Sequence, residues 1–288
     1  MSGEIQNSEI LPAEAQPIPT WVTETFDGST VHGVENELLV LQKMLEKPPG
    51  RGGNGFRAIG IIGVRGIGKS TISRALLQNP EVKSKFLPRI WVSMSRNSTE
   101  DDDPKIALLQ RILTSLGVDT NFPGVQTLGG LLYALRLQLR GKRYLIVLDD
   151  VQEFETGEEQ SNWYSDLNSF EKIGEKLRDG FPKENGGAVI LTSRSEKAAK
   201  AMVGEGNLRC LVPQKDPESI WKIFRQEIGK NGDLIPHDLP NLKDLKLELL
   251  KKCGGIPLAA KMMGEIQFNI MSKQKKNTEQ RKEEEIED

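Results

Sequence analysis

The sequence has few of the residues that build metal centres, disulfide frameworks or membrane spans. It holds two cysteines and two histidines in 288 residues, too few for a zinc site or a disulfide framework, so an intracellular compartment is the default. Its longest apolar runs are about five residues, whereas a bilayer span needs about 20. We therefore expect no transmembrane helix and a cytoplasmic protein, with nuclear or peripheral membrane association left open.

Charge of one sign is also lacking. The chain carries 39 basic and 41 acidic residues, for a formal net charge of −2. Such a balance gives no overall electrostatic footprint for nucleic acid, so we expect no nucleic-acid partner. The hydrophobic share of 37% is below average, but a chain of this length can still bury a core.

Apolar runs and helical periodicity alternate through the middle of the chain. Strands are predicted over residues 58–64, 89–94, 143–148, 188–192 and 208–212. Helices are predicted over residues 36–45, 71–78, 104–117, 127–140 and 170–177. This alternation predicts an α/β fold in which helices cover both faces of a parallel sheet.

After Pro213 the pattern contains helices alone, over residues 217–228, 241–252 and 257–271. The predicted organisation is a flexible arm at 1–20, an α/β domain at 21–212, a helical subdomain at 213–272 and a charged tail at 273–288. The tail is predicted to be either a solvated extension of the last helix or disordered. The polar loop at 152–168, which carries Trp163 and Tyr164, is expected to be disordered or to contact a partner.

One motif carries most of the chemistry. Residues 63–71 read GVRGIGKST and match G-x-x-x-x-G-K-[ST]. Its glycines let backbone N–H groups point into one concavity, and the next helix offers its positive N-terminus to the same anion. Lys69 supplies a cation for the β- and γ-phosphates, and the Ser70 hydroxyl can ligate Mg²⁺. The alternative is a tight turn with a surface lysine, but the strand before it and the helix after it favour phosphate binding.

Two carboxylates, Asp149 and Asp150, end the apolar run LIVLDDV at 145–151. Ligands of open α/β sheets bind at such carboxyl ends. Asp149 is suited to hold Mg²⁺ directly or through water, and Asp150 to orient or deprotonate an attacking water. Arg194 follows the next strand, where a guanidinium can match a γ-phosphate or form an ordinary surface ion pair.

Taken in order, these segments resemble the NB-ARC module of plant intracellular immune receptors, the NLR family. The resemblance runs from about residue 31 to 271 and includes FLPRIWVSMS at 86–95, RYLIVLDDV at 143–151, VILTSRS at 189–195, LVPQKDPESIWKIF at 211–224 and CGGIPLAAKMMG at 253–264. It implies a P-loop NTPase domain followed by a helical ARC subdomain. It also implies a switch between ADP-bound and ATP-bound states, with weak ATP hydrolysis at most.

The resemblance assigns roles residue by residue. It places Mg²⁺ on Ser70 and Asp149, the hydrolytic base on Asp150 and the γ-phosphate sensor on Arg194. The segment VHGVE at 31–35 is similar to the family's entry segment, whose backbone meets adenine. The remaining nucleotide contacts implied are Val31, His32, Gly63, Gly66, Ile67, Gly68, Lys69, Thr71 and Pro257.

The sequence also departs from the family pattern. Val34 stands where the family has arginine, and Arg65 stands where it has a small residue, either adding a phosphate-facing charge or pointing to solvent. No coiled-coil, TIR, second ARC or leucine-rich segment is recognisable, which suggests a truncated member, a fragment or an adaptor. Besides nucleotide, the partners expected are another NLR, a second copy or a signalling protein. The alternatives are a P-loop ATPase or phosphotransferase, or a scaffold that binds no nucleotide.

Overall fold

The computed structural model of this chain describes residues 26–28, 31–46, 55–94, 103–121, 126–152, 162–169, 174–229 and 242–287. The described part contains one sheet of five strands in the order β2-β3-β4-β1-β5. Every neighbouring pair is parallel, so the predicted α/β class is confirmed. The strands are β1 (Arg57–Ile62), β2 (Arg89–Ser93), β3 (Leu145–Val151), β4 (Ala188–Ser193) and β5 (Leu208–Cys210).

Nine α-helices whose bounds lie in the described ranges accompany this sheet, and residues 162–164 are helical as well. Several begin with the capping signals that the sequence carries, as when the Asp103 carboxylate accepts the N–H of Lys105 and Pro104 follows the cap. The helices are α1 (Glu35–Glu46), α2 (Lys69–Gln78), α3 (Pro80–Lys85), α4 (Pro104–Ser115), α5 (Leu128–Leu139), α6 (Glu196–Val203), α7 (Pro217–Ile228), α8 (Leu242–Cys253) and α9 (Pro257–Glu287). No described helix is long and apolar enough to cross a bilayer.

The sheet is buried on both faces, as expected for parallel strands. Along β3, Ile146 and Leu148 belong to the apolar cluster that includes α4, α5 and α6. Leu145 and Val147 point the other way, into the cluster formed with α1 and α2. Burial on both faces fixes the register of β3, because a one-residue slip would exchange the two sets of side chains.

Helices α7, α8 and α9 form a third, smaller core after the last strand. Its buried members are Ile220, Trp221, Leu249, Cys253 and Ala260. This layer contacts the sheet domain where the N–H of Leu258, at the start of α9, donates to the Gly66 carbonyl oxygen over 3.2 Å. The change to helices after residue 213 follows the predicted pattern, while the domain limits themselves stay a prediction.

The structure corrects the predicted helix at 170–177. Residues 170–173 lie outside the described ranges, residues 174–176 are not helical, and a 3₁₀ turn covers Leu177–Gly180. The Asp179 carboxylate accepts the N–H of Lys176 over 2.9 Å and closes that turn. A side chain that binds nearby backbone in this way competes with an α-helix.

Two further features differ from the sequence-based expectations, and a third follows one of two stated alternatives. The pattern predicts neither α3 nor α6, which are six and eight residues long. Trp163 and Tyr164 are buried and form an edge-to-face pair with centroids 4.6 Å apart, so these two side chains belong to the core. Residues 153–161 of the same predicted loop lie outside the described residues. Helix α9 continues to Glu287, which favours the helical alternative for the charged tail. The arm predicted at 1–20 lies outside the described residues.

Candidate nucleotide site

A cavity of about 910 Å³ opens at the carboxyl ends of β1, β3 and β4, between the sheet and helices α7 and α9. That volume is typical of small-molecule and cofactor sites. All the residues predicted for the site except Gly63 line it, namely Val31, His32, Gly66, Ile67, Gly68, Lys69, Ser70, Thr71, Asp149, Asp150, Arg194 and Pro257. Gly63 instead supplies a carbonyl oxygen beneath the loop.

The loop after β1 presents a helix N-terminus to this cavity. Gly68, with φ of 104°, is the N-cap of α2, and no side chain caps the helix. The first N–H groups of an uncapped helix suit an anion. Lys69 is 8% exposed, and its Nζ donates to the carbonyl oxygens of Gly63 and Val64 over 2.8 and 3.0 Å. Burial lowers the pKa of Lys69, opposed in part by the nearby carboxylates, so a phosphate would compete with backbone carbonyls for this ammonium.

Two hydroxyl groups converge on one oxygen of Asp149. Ser70 Oγ donates to Asp149 Oδ1 over 2.8 Å, and Thr192 Oγ1 donates to the same oxygen over 2.6 Å. Because its hydrogen points to Asp149, Ser70 keeps its lone pairs for a cation. Asp149 Oδ1 already accepts two hydrogen bonds, so this carboxylate could support Mg²⁺ through Ser70 and water, whereas direct ligation would use its Oδ2.

Asp150 and Arg194 face each other across the cavity floor. Asp150 adopts a left-handed backbone conformation with φ of 61°, which is uncommon for a residue with a side chain. Its Oδ1 lies 3.7 Å from Arg194 Nε, and the two side chains are 37% and 50% exposed. An ion pair this long and exposed contributes little stability. The structure therefore contains the ion pair expected as one alternative for Arg194, and a match of its guanidinium to a γ-phosphate stays a prediction.

The opposite wall joins the N-terminal segment to the helical layer. Gln214 Nε2 donates to the carbonyl oxygen of His32 over 3.1 Å, which holds the backbone at Val31 and His32 beside the cavity. Pro257 is the first residue of α9. Gly66, with φ of 79°, lets α9 approach closely, because a Cβ there would lie 2.7 Å from the Cβ of Leu258. The start of α9 thus packs directly on the loop at 63–71, hereafter the phosphate loop.

Sequence reasoning missed several residues that line this cavity, chiefly Phe26, Thr192, Gln214, Glu227 and Lys261. Lys261 pairs with Glu227 over 3.5 Å, joining α9 to α7. Helical spacing could have found Lys261, since it lies one turn after Pro257 and so on the same face of α9. Arg65, for which two roles stayed open, is exposed and also lines the cavity.

Comparison with known proteins finds a matching family model and similar plant proteins. The model of the NB-ARC domain family matches residues 39–233. The Arabidopsis thaliana protein named "Probable disease resistance protein At4g19060" is 38% identical, over 82% of this chain and 72% of its own length. Two others of the same description and organism, At5g45440 and At5g45490, are 35% and 34% identical, each over 83% of this chain and 75% of their own length.

Proposed function

This chain belongs to the NB-ARC domain family, and on that basis we propose that it is the nucleotide-binding switch module of a plant disease-resistance protein. Its ligands are ADP and ATP, and its site is the cavity between the sheet and helices α7 and α9. One observation carries the proposal: the uncapped start of α2, Lys69 and the bond from Ser70 to Asp149 meet in that cavity.

Each part of the phosphate site has a physical role. The N–H groups at the start of α2 bind the phosphate oxygens, aided by the helix dipole. Lys69 neutralises the β-phosphate once it exchanges its carbonyl partners for the ligand. Ser70 would hold Mg²⁺ beside the phosphates, where the ion would supply positive charge, and the carboxylate of Asp149 would orient Ser70 and nearby water.

Discrimination between ADP and ATP rests on Arg194 in this proposal. A ligand shifts a conformational equilibrium only through contacts that differ between the two states. The γ-phosphate is the group that ATP adds, and among the described residues Arg194 is held by its long contact with Asp150. Transfer of the guanidinium to the γ-phosphate releases the Asp150 carboxylate, which is then free to orient a water. Weak hydrolysis is the enzyme activity that we expect.

The helical layer is the element that moves. Leu258 touches the phosphate loop, and Lys261 and Glu227 line the cavity from α9 and α7. A change in the phosphates therefore acts on both helices at once. We also propose that the protein works inside the cell and that its signal passes to another family member, a second copy or a signalling protein.

The test is nucleotide binding by purified protein. Wild type and Lys69→Ala are denatured and the released nucleotide identified, and fluorescent ADP and ATP analogues are titrated into both. We expect Lys69→Ala to weaken nucleotide binding by about tenfold to hundredfold, because the variant loses the hydrogen bonds between the lysine ammonium and the phosphates. Lys142→Ala, an exposed lysine outside the cavity, is the matched control. Equal binding by wild type and Lys69→Ala, or none by wild type, would refute the proposal.

A second titration addresses the switch. We expect Arg194→Ala to lose affinity for the ATP analogue and to keep that for the ADP analogue, because only the triphosphate offers the group that Arg194 binds. If the ratio of the two affinities is the same in wild type and variant, Arg194 is not the sensor.

A further inference from the structure

A β-bulge lies where β3 reaches the cavity. In the ladder between β3 and β4, Leu148 faces Leu191 and Val151 faces Ser193, with an irregularity between them. Two residues of β3, Asp149 and Asp150, therefore oppose the single residue Thr192 of β4. Two residues facing one define a bulge, a feature that commonly redirects side chains next to active sites.

The packing of the core side chains shows that the bulge shifts β3 by one residue. Strict alternation would send Val151 to the face of Leu145 and Val147. Val151 instead belongs to the cluster that contains Ile146 and Leu148. The extra residue shifts the alternation of side chains along β3 by one position, and the left-handed backbone conformation of Asp150, with φ of 61°, accommodates this shift. As a result both carboxylates line the cavity, whereas a regular strand would place them on opposite faces.

The hydroxyl of Thr192 closes this bulge. It accepts the backbone N–H of Asp150 over 2.9 Å and donates its own hydrogen to Asp149 Oδ1 over 2.6 Å. The Thr192 side chain is 1% exposed, so water does not replace either bond. We infer that Thr192 is a positioning residue that sets both carboxylates at once, Asp149 beside Ser70 and Asp150 beside Arg194.

The inference rests on the proposed function for its consequence, which is magnesium-dependent nucleotide binding. If Thr192 orients Asp149, and Asp149 orients Ser70, then removal of the hydroxyl weakens the contribution of Mg²⁺ to ADP binding. Thr192→Val keeps the shape of the side chain and removes both hydrogen bonds. Thr192→Ser keeps the hydroxyl and should restore wild-type behaviour.

The first measurement is the Mg²⁺ concentration that gives half of the maximal increase in ADP affinity. We expect Thr192→Val to raise it about tenfold or more, as for the loss of one hydrogen bond to a charged group. Thr192→Ser should stay near wild type. Ser193→Ala is the matched control, since Ser193 is a buried hydroxyl on the same strand that bonds to Val151 and Ser195 and not to the carboxylates. An equal shift in Thr192→Val and Ser193→Ala would overturn the inference.

The second measurement needs no nucleotide. Hydrogen exchange of the Asp150 amide reports the bond to Thr192 directly, because an amide exchanges only when its hydrogen bond opens. We expect at least about tenfold faster exchange in Thr192→Val, with wild-type protection in Thr192→Ser and Ser193→Ala. Unchanged protection in Thr192→Val would refute the role of Thr192. Protection lost as expected, in a protein that binds no nucleotide, would instead refute the proposed function alone.

Discussion

Gly264 controls how closely α9 packs on α7, and replacing it with alanine tests whether that packing maintains the site. A Cβ at Gly264 would lie 2.6 Å from the carbonyl oxygen of Phe224 and 2.8 Å from the Cβ of Glu227. Neither neighbour moves easily, since one is helix backbone and the other begins a side chain. The two helices would have to separate by about 0.9 Å to restore ordinary contacts of about 3.5 Å at the closer of these two atoms.

The energy follows from two opposing terms. Overpacking a well-packed contact costs about 1–3 kcal/mol, whereas alanine favours a helix over glycine by about 1 kcal/mol. We therefore expect Gly264→Ala to lower the free energy of unfolding by about 0–2 kcal/mol. Because α7 and α9 also line the cavity, through Glu227 and Lys261 among others, ADP affinity should fall as well.

The assay is urea unfolding, monitored both by helix content and by tryptophan fluorescence. Trp221 contributes to this fluorescence and reports on the helical layer, where its ring centroid lies 5.5 Å from that of Phe224. Gly129→Ala is the control, because a Cβ at this exposed position on α5 meets no atom closer than 4.0 Å. There alanine should stabilise the protein by about 0.5–1 kcal/mol. If Gly264→Ala is as stable as Gly129→Ala, the close approach of the helices does not require glycine and the reasoning fails.

Two further substitutions probe the surroundings of the site. Gly33 has φ of 72°, and a Cβ there would lie 2.5 Å from Gln214 Oε1, so Gly33→Ala should displace Gln214 and weaken ADP binding in a titration; unchanged affinity would contradict this. Burial lowers the pKa of Lys183 from 10.5 to about 8, so the unfolded chain binds more protons between these values and stability should rise with pH there. The melting temperature of wild type should therefore rise between pH 8 and 10, and that of Lys183→Met should not. An equal rise in both proteins would exclude Lys183 as its source.

The sequence predicts well those elements whose signals are local. The phosphate loop is a case in point, since strand, glycines and helix follow one another within 57–78 and need no distant partner. Helix α6 is harder, because its eight residues are too few for clear periodicity. Its cap is nevertheless local, with Ser195 Oγ accepting the N–H of Ala198 over 3.2 Å.

The geometry of the carboxylates could not be predicted from the sequence. The run LIVLDDV predicts a strand end with two acids, and regular alternation would place Asp149 and Asp150 on opposite faces. Their common direction depends on one residue of a different strand, Thr192, which is more than 40 residues away along the chain. A bulge is a property of the strand pair, so it becomes visible only with the register of β3 on β4.

The cations of the cavity explain how such a site can act as a switch. Lys69 is bound by backbone carbonyls, Arg194 by Asp150 and Lys261 by Glu227. Under the proposed function, an incoming nucleotide exchanges these contacts for contacts with its own phosphates, so its affinity is the difference between two sets of bonds. That exchange is easiest at Arg194, where the existing pair is long and half exposed. In the proposed switch, the γ-phosphate redirects Arg194 at little cost, and the bulge closed by Thr192 connects that change to the carboxylate beside Ser70.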